Sequence, residues 1–96
     1  MSDILFHVST EPGGEVLLPL MRAAARAGSE VAAFFTHRGV LGLRDPALVA
    51  ALAGSRAVVC EHSWDRYCPG LECPVERGSQ TINSALMGEA RRVVSL

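Results

Sequence analysis

Cys60 has the clearest potential for chemistry, because it ends a short apolar run (residues 57–60) and polar residues follow it at once. Such a position can place the sulfur at the mouth of a cleft. A thiol is nucleophilic only as the thiolate, and a nearby imidazolium or guanidinium lowers its pKa. His37, Arg38 and His62 are the residues that could supply this charge. We therefore predict a nucleophilic Cys60; the alternative is a small buried hydrophobic residue.

Two further cysteines, Cys68 and Cys73, follow in a segment that contains prolines and glycines. Together with Cys60 and His62 they form the pattern C-x-H-x5-C-x4-C, in which every named side chain is a zinc ligand. The spacing departs from the paired C-x2-C of common zinc sites. We expect no metal or other cofactor, and keep these four residues as an alternative metal site. A reversible disulfide, a relay of thiols and two idle thiols are further interpretations.

Short apolar runs alternate with amphipathic segments along the chain. The predicted strands cover residues 4–8, 31–35, 57–60 and 92–96. The predicted helices cover residues 15–27, a segment from Asp45-Pro46 to Gly54, and a segment from Ser79 to about Glu89. This alternation indicates βαβ units and a parallel sheet, and the apolar runs are typical of strands buried on both faces. Residues 1–96 are therefore predicted to form one α/β domain of three layers, with helices on both faces of a short, mostly parallel sheet.

Two segments without a helical or strand period, residues 9–14 and 61–78, are predicted as loops. The first contains Gly13 and Gly14 between a strand and a helix, where a phosphate can bind. The chain has no lysine and no G-x-G-x-x-G pattern, and two glutamates flank the glycines. Those carboxylates would repel a phosphate, so a nucleotide-binding switch domain is the last of our interpretations.

Ligand sites of parallel α/β sheets lie beyond the carboxyl ends of the strands. The residues that follow the first three predicted strands should meet there: Ser9, Thr10, Gly13, Gly14, Thr36, His37, Arg38, Gly39, Cys60, Glu61, His62 and Ser63. They combine a thiol, two imidazoles and a guanidinium, and we predict the functional site at this edge. His7 lies inside the first strand and is interpreted as a core histidine. Trp64 and Tyr67 are interpreted as a lid or an interface patch.

The bulk composition excludes several classes of partner. The hydrophobic fraction of 49%, the charged fraction of 20% and the net charge of -1 describe a globular chain with no electrostatic preference for nucleic acid. No apolar run approaches the roughly 20 residues that span a bilayer, and no basic segment precedes the first apolar run as in a signal peptide. We therefore expect a cytoplasmic protein with reduced thiols and neither nucleic-acid nor membrane partners.

Two short motifs resemble one known family. The segment R-G-V-L-G-L (residues 38–43) follows the second predicted strand, and the third ends in C-E-H-S-W-D (residues 60–65). The chain closes with Gly78-Ser79, a helix and a last strand. These segments resemble the DsrE/DsrF-like family of small sulfur-relay proteins, which has a G-V-x-x-L segment and, in one branch, a C-x-x-S-x-D motif. The resemblance implies a DsrE-like fold with flavodoxin-like winding.

The resemblance also implies a function. It indicates a sulfur carrier or sulfurtransferase that passes sulfane sulfur through a persulfide on Cys60, with Ser63 and Asp65 as motif companions. It further implies donor and acceptor proteins as partners, and a homotrimer or homohexamer, which would offset the small core of so short a chain. We predict Cys60, His62 and His37 as catalytic residues and Cys68 as a resolving thiol. The alternative is a non-catalytic binding or assembly module of the same fold.

Overall fold

The computed structural model describes residues 2–96, which form five strands and four α-helices. The strands are β1 (Ser2–Val8), β2 (Val31–Phe35), β3 (Arg56–Cys60), β4 (Glu76–Gly78) and β5 (Ala90–Ser95). The helices are α1 (Glu11–Ala27), α2 (Pro46–Leu52), α3 (Glu61–Tyr67) and α4 (Gln80–Glu89), and a 3-10 segment covers His37–Arg44. All strand pairs are parallel, in the order β4-β3-β2-β1-β5.

Helices cover both faces of this sheet, which confirms the predicted three-layer α/β domain. On one face, Phe35 and Val59 pack with side chains of α1, α2, α3 and the 3-10 segment. On the other, Phe34 and Val58 pack with Leu86 of α4. Right-handed crossovers explain why α1, α2 and α3 lie on one face and α4 on the other. The chain steps from β1 to β4 in one direction and then crosses back over the sheet to β5. The winding reverses once, as in flavodoxin-like folds, although the strand order differs from their 2-1-3-4-5.

Helix α1 begins earlier than predicted. We expected residues 9–14 to be a loop, yet the helix starts at Glu11. Thr10 is the N-cap, and its hydroxyl accepts a hydrogen bond of 3.0 Å from the Gly13 N–H, so the two glycines belong to the first turn. The helix ends at Gly28, whose φ of 72° is the expected left-handed cap. Neither α1 nor any other helix within residues 2–96 has the length and apolar character needed to cross a membrane.

The predicted loop over residues 61–78 was wrong at both ends. Residues Glu61–Tyr67 form α3, and residues Glu76–Gly78 form the edge strand β4. The helix was missed because, at seven residues, it is too short to show a period; its inner side consists mainly of Trp64 and, one turn later, Cys68. The edge strand has only one buried residue, Gly78, so it lacks an apolar run.

The remaining predicted elements are confirmed, with shifts of one or two residues. Strand β2 has the predicted bounds, and β5 begins two residues before position 92. Asp45 caps α2 by accepting a 3.0 Å hydrogen bond from the Ala47 N–H. Ser79 precedes α4 as its N-cap but makes no side-chain capping hydrogen bond.

A glycine lets the 3-10 segment lie directly against the end of β1. A Cβ atom at Gly39 would stand 2.2 Å from the Val8 carbonyl oxygen, which is far inside contact distance. The same carbonyl accepts a hydrogen bond of 2.9 Å from the Thr36 N–H. The chain after β2 is therefore fixed against β1, and this contact positions Thr36 and His37 at the carboxyl edge of the sheet.

Candidate functional site

Cys60 lies at the predicted edge, where β3 ends and α3 begins. Cys60 is 7% exposed, and one side of it packs in the apolar cluster beneath α4. The other side borders a shallow cleft of about 250 Å³, which is lined by Thr36, His37, Cys60, His62, Ser63, Arg66, Tyr67 and Gln80. The structure thus brings together three of the four predicted catalytic residues: Cys60, His37 and His62. A cleft of this size is smaller than the roughly 300–1,000 Å³ of typical ligand pockets and suits a small reactant.

Hydrogen bonds favour the thiolate form of Cys60. Burial alone would raise the pKa of this thiol. The hydroxyl of Ser63, the backbone N–H groups of Ser63 and His62, and the Thr36 hydroxyl act in the opposite direction and together lower the pKa below its usual value. Thr36 directly follows β2, and His62 and Ser63 belong to the first turn of α3. The surroundings of Cys60 therefore favour the thiolate, the form in which a cysteine is reactive.

Ser63 is the centre of this arrangement. Its Oγ accepts a hydrogen bond of 2.9 Å from the His37 N–H and lies 3.4 Å from Thr36 Oγ1. The same hydroxyl lowers the pKa of the Cys60 thiol. His37 has a φ of 49°, a left-handed conformation that non-glycine residues rarely adopt. The Ser63 contact therefore also holds the backbone that places the imidazole at the cleft.

Replacing Ser63 by alanine is expected to raise the pKa of Cys60. The variant loses the hydroxyl proton that stabilises the thiolate, so alkylation of Cys60 by iodoacetamide at neutral pH should slow several-fold. The pH at which labelling reaches half its maximal rate should move upward. Ser84→Ala on the exposed side of α4 is the matched control and should label like the original protein. An unchanged pH profile in Ser63→Ala would show that the hydroxyl does not act on the sulfur.

Two guanidinium groups flank Tyr67 at the lip of the cleft. The Cζ atoms of Arg38 and Arg66 lie 5.6 Å and 5.2 Å from the centre of the Tyr67 ring. Arg38 also donates a hydrogen bond of 3.1 Å to Glu11, so that its charge is compensated. Tyr67, interpreted from the sequence as a lid or interface residue, lines the cleft, and its ring makes cation–π contacts with both guanidinium groups.

Asp65, the second motif companion of Cys60, does not line the cleft. Arg77 Nη2 donates to both oxygens of this carboxylate, at 3.0 Å and 2.9 Å. This hydrogen bonding lowers the pKa of Asp65 against a small opposing effect of desolvation. The contact joins α3 to the strand β4 on the exposed surface, away from the cleft.

Cys68 does not join Cys60. It is 2% exposed and packs in the cluster on the opposite face of the sheet from the cluster that contains Cys60. The two residues stand at opposite ends of α3, and eight residues of helix span about 12 Å, whereas a disulfide needs Cα atoms within about 7 Å. Burial, the largest influence, raises the pKa of Cys68. A resolving role for Cys68 would require α3 to unwind.

The alternative metal site is not assembled either. Within residues 2–96, no three His, Cys, Asp or Glu side chains are grouped so that they could hold a metal ion. Cys73 is half-buried, and its thiol donates a 3.3 Å hydrogen bond to the Val75 carbonyl. Cys60 and His62 lie at the start of α3 and Cys68 at its end. The helix therefore keeps these side chains too far apart to bind one metal ion.

Some functional residues were missed from the sequence, and others were misplaced. Arg66 and Gln80 line the cleft although neither was predicted to do so. The spacing of Arg66 three residues after Ser63 would have revealed it, had the helix been recognised. Trp64, interpreted from the sequence as a lid or interface residue, is 2% exposed. Its Nε1–H donates a hydrogen bond of 3.2 Å to the Leu71 carbonyl. It anchors the following loop in the core.

His7 is half-buried and not fully inside the core. Its ring stacks on Phe34 at 6.0 Å between centres, on the face of the sheet that α4 covers. Burial, and then the charge of His37, lower the pKa of His7, so the neutral imidazole is favoured. His7 therefore lies near the site as a neutral neighbour of His37.

Neither the models of protein families nor the curated proteins compared with the chain match it. The chemistry of the cleft is therefore inferred from its own side chains.

Proposed function

We propose that this protein is a sulfur carrier or sulfurtransferase that passes sulfane sulfur through a persulfide on Cys60. The observation that supports this most is the position of Cys60 at an open cleft beside Thr36, Ser63 and the first turn of α3, whose donors lower the pKa of its thiol. Such donors stabilise negative charge on sulfur. The resemblance to the DsrE/DsrF-like family, in which a cysteine after the third strand takes this role, points to the same chemistry.

The proposed transfer has two balanced steps. The Cys60 thiolate attacks the outer sulfur of a donor persulfide; a new S–S bond forms, and the donor leaves as a thiolate that takes up a proton. The thiolate of an acceptor then attacks the outer sulfur of the Cys60 persulfide and returns Cys60 to the thiolate form. No external oxidant is consumed. His37 and His62 border the cleft and are the groups that would deliver or accept the proton.

The same donors serve both states of Cys60. A persulfide anion carries its charge one bond further from Cβ than a thiolate, toward the open side of the cleft. Ser63 and Thr36 would stabilise the thiolate, and the imidazoles at the cleft would face the outer sulfur. Neither Cys68 nor Cys73 is needed for the cycle, because release uses the thiol of the acceptor.

The partners of such a carrier would be donor and acceptor proteins in the cytoplasm, together with further copies of the chain. Met87 on α4 is 39% exposed, and Val93 on the edge strand β5 is 41% exposed. The trimer or hexamer is what the resemblance to the DsrE/DsrF-like family implies, and these two exposed apolar side chains on adjoining elements are ones that an interface would cover.

Intact-mass spectrometry after incubation with inorganic polysulfide tests the proposal. The protein is expected to gain one sulfur atom per chain, and to lose it when a small acceptor thiol is added after removal of the donor. A protein that gains no sulfur under these conditions would refute the proposal and leave the non-catalytic binding or assembly module as the interpretation.

A further inference from the structure

Arg66 is a cation of the cleft that no carboxylate neutralises. Among residues 2–96, the acidic oxygens that lie within 4.0 Å of an arginine belong to pairs with Arg38, Arg44, Arg56 and Arg77. Arg66 is in none of these pairs, and it lines the same cleft as Cys60. The face of Tyr67 supports it, with Cζ 5.2 Å from the ring centre.

Two acidic side chains of the elements around the cleft are paired with other arginines, and Glu61, which directly follows Cys60, is not part of the cleft lining. Glu11 lies 3.1 Å from Arg38 and 3.8 Å from Arg44, and Asp65 accepts both of its hydrogen bonds from Arg77. The lining of the cleft itself contains no acidic side chain. Arg66 is a permanent cation in that lining, which therefore favours an anion over a cation.

The cleft also has the size and donors for a small oxyanion. At about 250 Å³ it has room for a small inorganic ion. Guanidinium groups bind the oxygens of such ions with paired N–H donors, and the side chains of His62 and Gln80 can add further hydrogen bonds.

On the basis of the proposed function, we infer that Cys60 accepts sulfur from a small anion that contains both a sulfane sulfur and a sulfonate group. Thiosulfate is the simplest such compound. Arg66 would bind the sulfonate oxygens while the sulfane sulfur faces Cys60. The Cys60 thiolate attacks that sulfur, the S–S bond of thiosulfate breaks, and its electron pair leaves with sulfite. The products are the Cys60 persulfide anion and one sulfite ion, so that atoms, electrons and charge balance without a further reactant.

The test compares two donors on the intact chain: thiosulfate, and inorganic polysulfide, which carries no sulfonate. The original protein is expected to gain one sulfur from thiosulfate and to release one sulfite for each sulfur bound. Arg66→Ala should lower the rate of loading from thiosulfate about tenfold more than the rate of loading from polysulfide, because only thiosulfate presents oxygens to the guanidinium. Arg66→Lys should recover part of the loss. Arg26→Ala, an exposed arginine in the last turn of α1, is the matched control and should behave as the original protein.

The outcomes separate the two proposals. Loading from polysulfide but not from thiosulfate would overturn the thiosulfate inference and leave the carrier function standing. Equal loss with both donors in Arg66→Ala would overturn the role of Arg66 in recognising the sulfonate. Loading from neither donor would overturn both the inference and the function on which it rests.

Discussion

Replacement of Cys60 by serine is expected to abolish sulfur loading. Cys60 is the cysteine that lines the cleft, and the donors around it lower the pKa of its thiol. A serine hydroxyl has nearly the same shape but cannot form a persulfide, so the fold should be kept and the chemistry lost. Intact-mass spectrometry after treatment with polysulfide measures the effect: one added sulfur on the original protein and none on Cys60→Ser.

The other cysteines provide the controls. Cys73→Ser should load like the original protein, because Cys73 stands outside the cleft. Cys68→Ala should also load, although with lower stability, since it removes a buried sulfur from the core. A Cys60→Ser protein that still gains a stable sulfur would contradict the assignment and direct attention to the segment with Cys68 and Cys73.

Gly39→Ala is expected to destabilise the fold by about 3 kcal/mol, the upper end of what added core methyl groups usually cost. Its new Cβ would stand 2.2 Å from the Val8 carbonyl oxygen, and the nearby atoms are backbone rather than flexible side chain. Either the 3-10 segment or the end of β1 must move. The change in the urea midpoint, with the slope of the transition held constant, measures the loss. Because the 3-10 segment carries His37, the reactivity of Cys60 should fall as well.

Gly88→Ala is the matched control for this substitution. Gly88 lies in α4, and a Cβ there meets no atom within 4 Å. Alanine should therefore raise the stability by about 0.5 kcal/mol through its higher helix propensity. A Gly39→Ala protein as stable as the original would show that the contact with β1 is not tight.

The sequence was sufficient for the fold wherever apolar runs are long enough to show a period. Residues 31–35 were predicted to the residue because all five side chains of β2 are buried. Strand β4 was missed because it is a short edge strand. It pairs with β3 alone, for example through Gly78 with Cys60. Edge strands expose one row of backbone groups and need no apolar signature.

The candidate site was partly predictable for the same reason. Cys60, His37 and His62 directly follow central strands, and the rule that parallel strands deliver ligands at their carboxyl ends brought them together. Arg66 depends instead on a helix of seven residues, too short for a periodic signal. The separation of Cys68 from Cys60 could not be predicted, because a spacing of eight residues gives no distance until the intervening backbone is known to be helical.

The most direct test of the central claim is to identify which cysteine of the chain carries the added sulfur. After treatment with polysulfide, alkylation of the persulfide and digestion with trypsin, cleavage at arginine yields residues 57–66, which contain Cys60 alone, and residues 67–77, which contain Cys68 and Cys73. Our account predicts the added sulfur on the first peptide. Sulfur found on residues 67–77, with residues 57–66 unmodified, would contradict it.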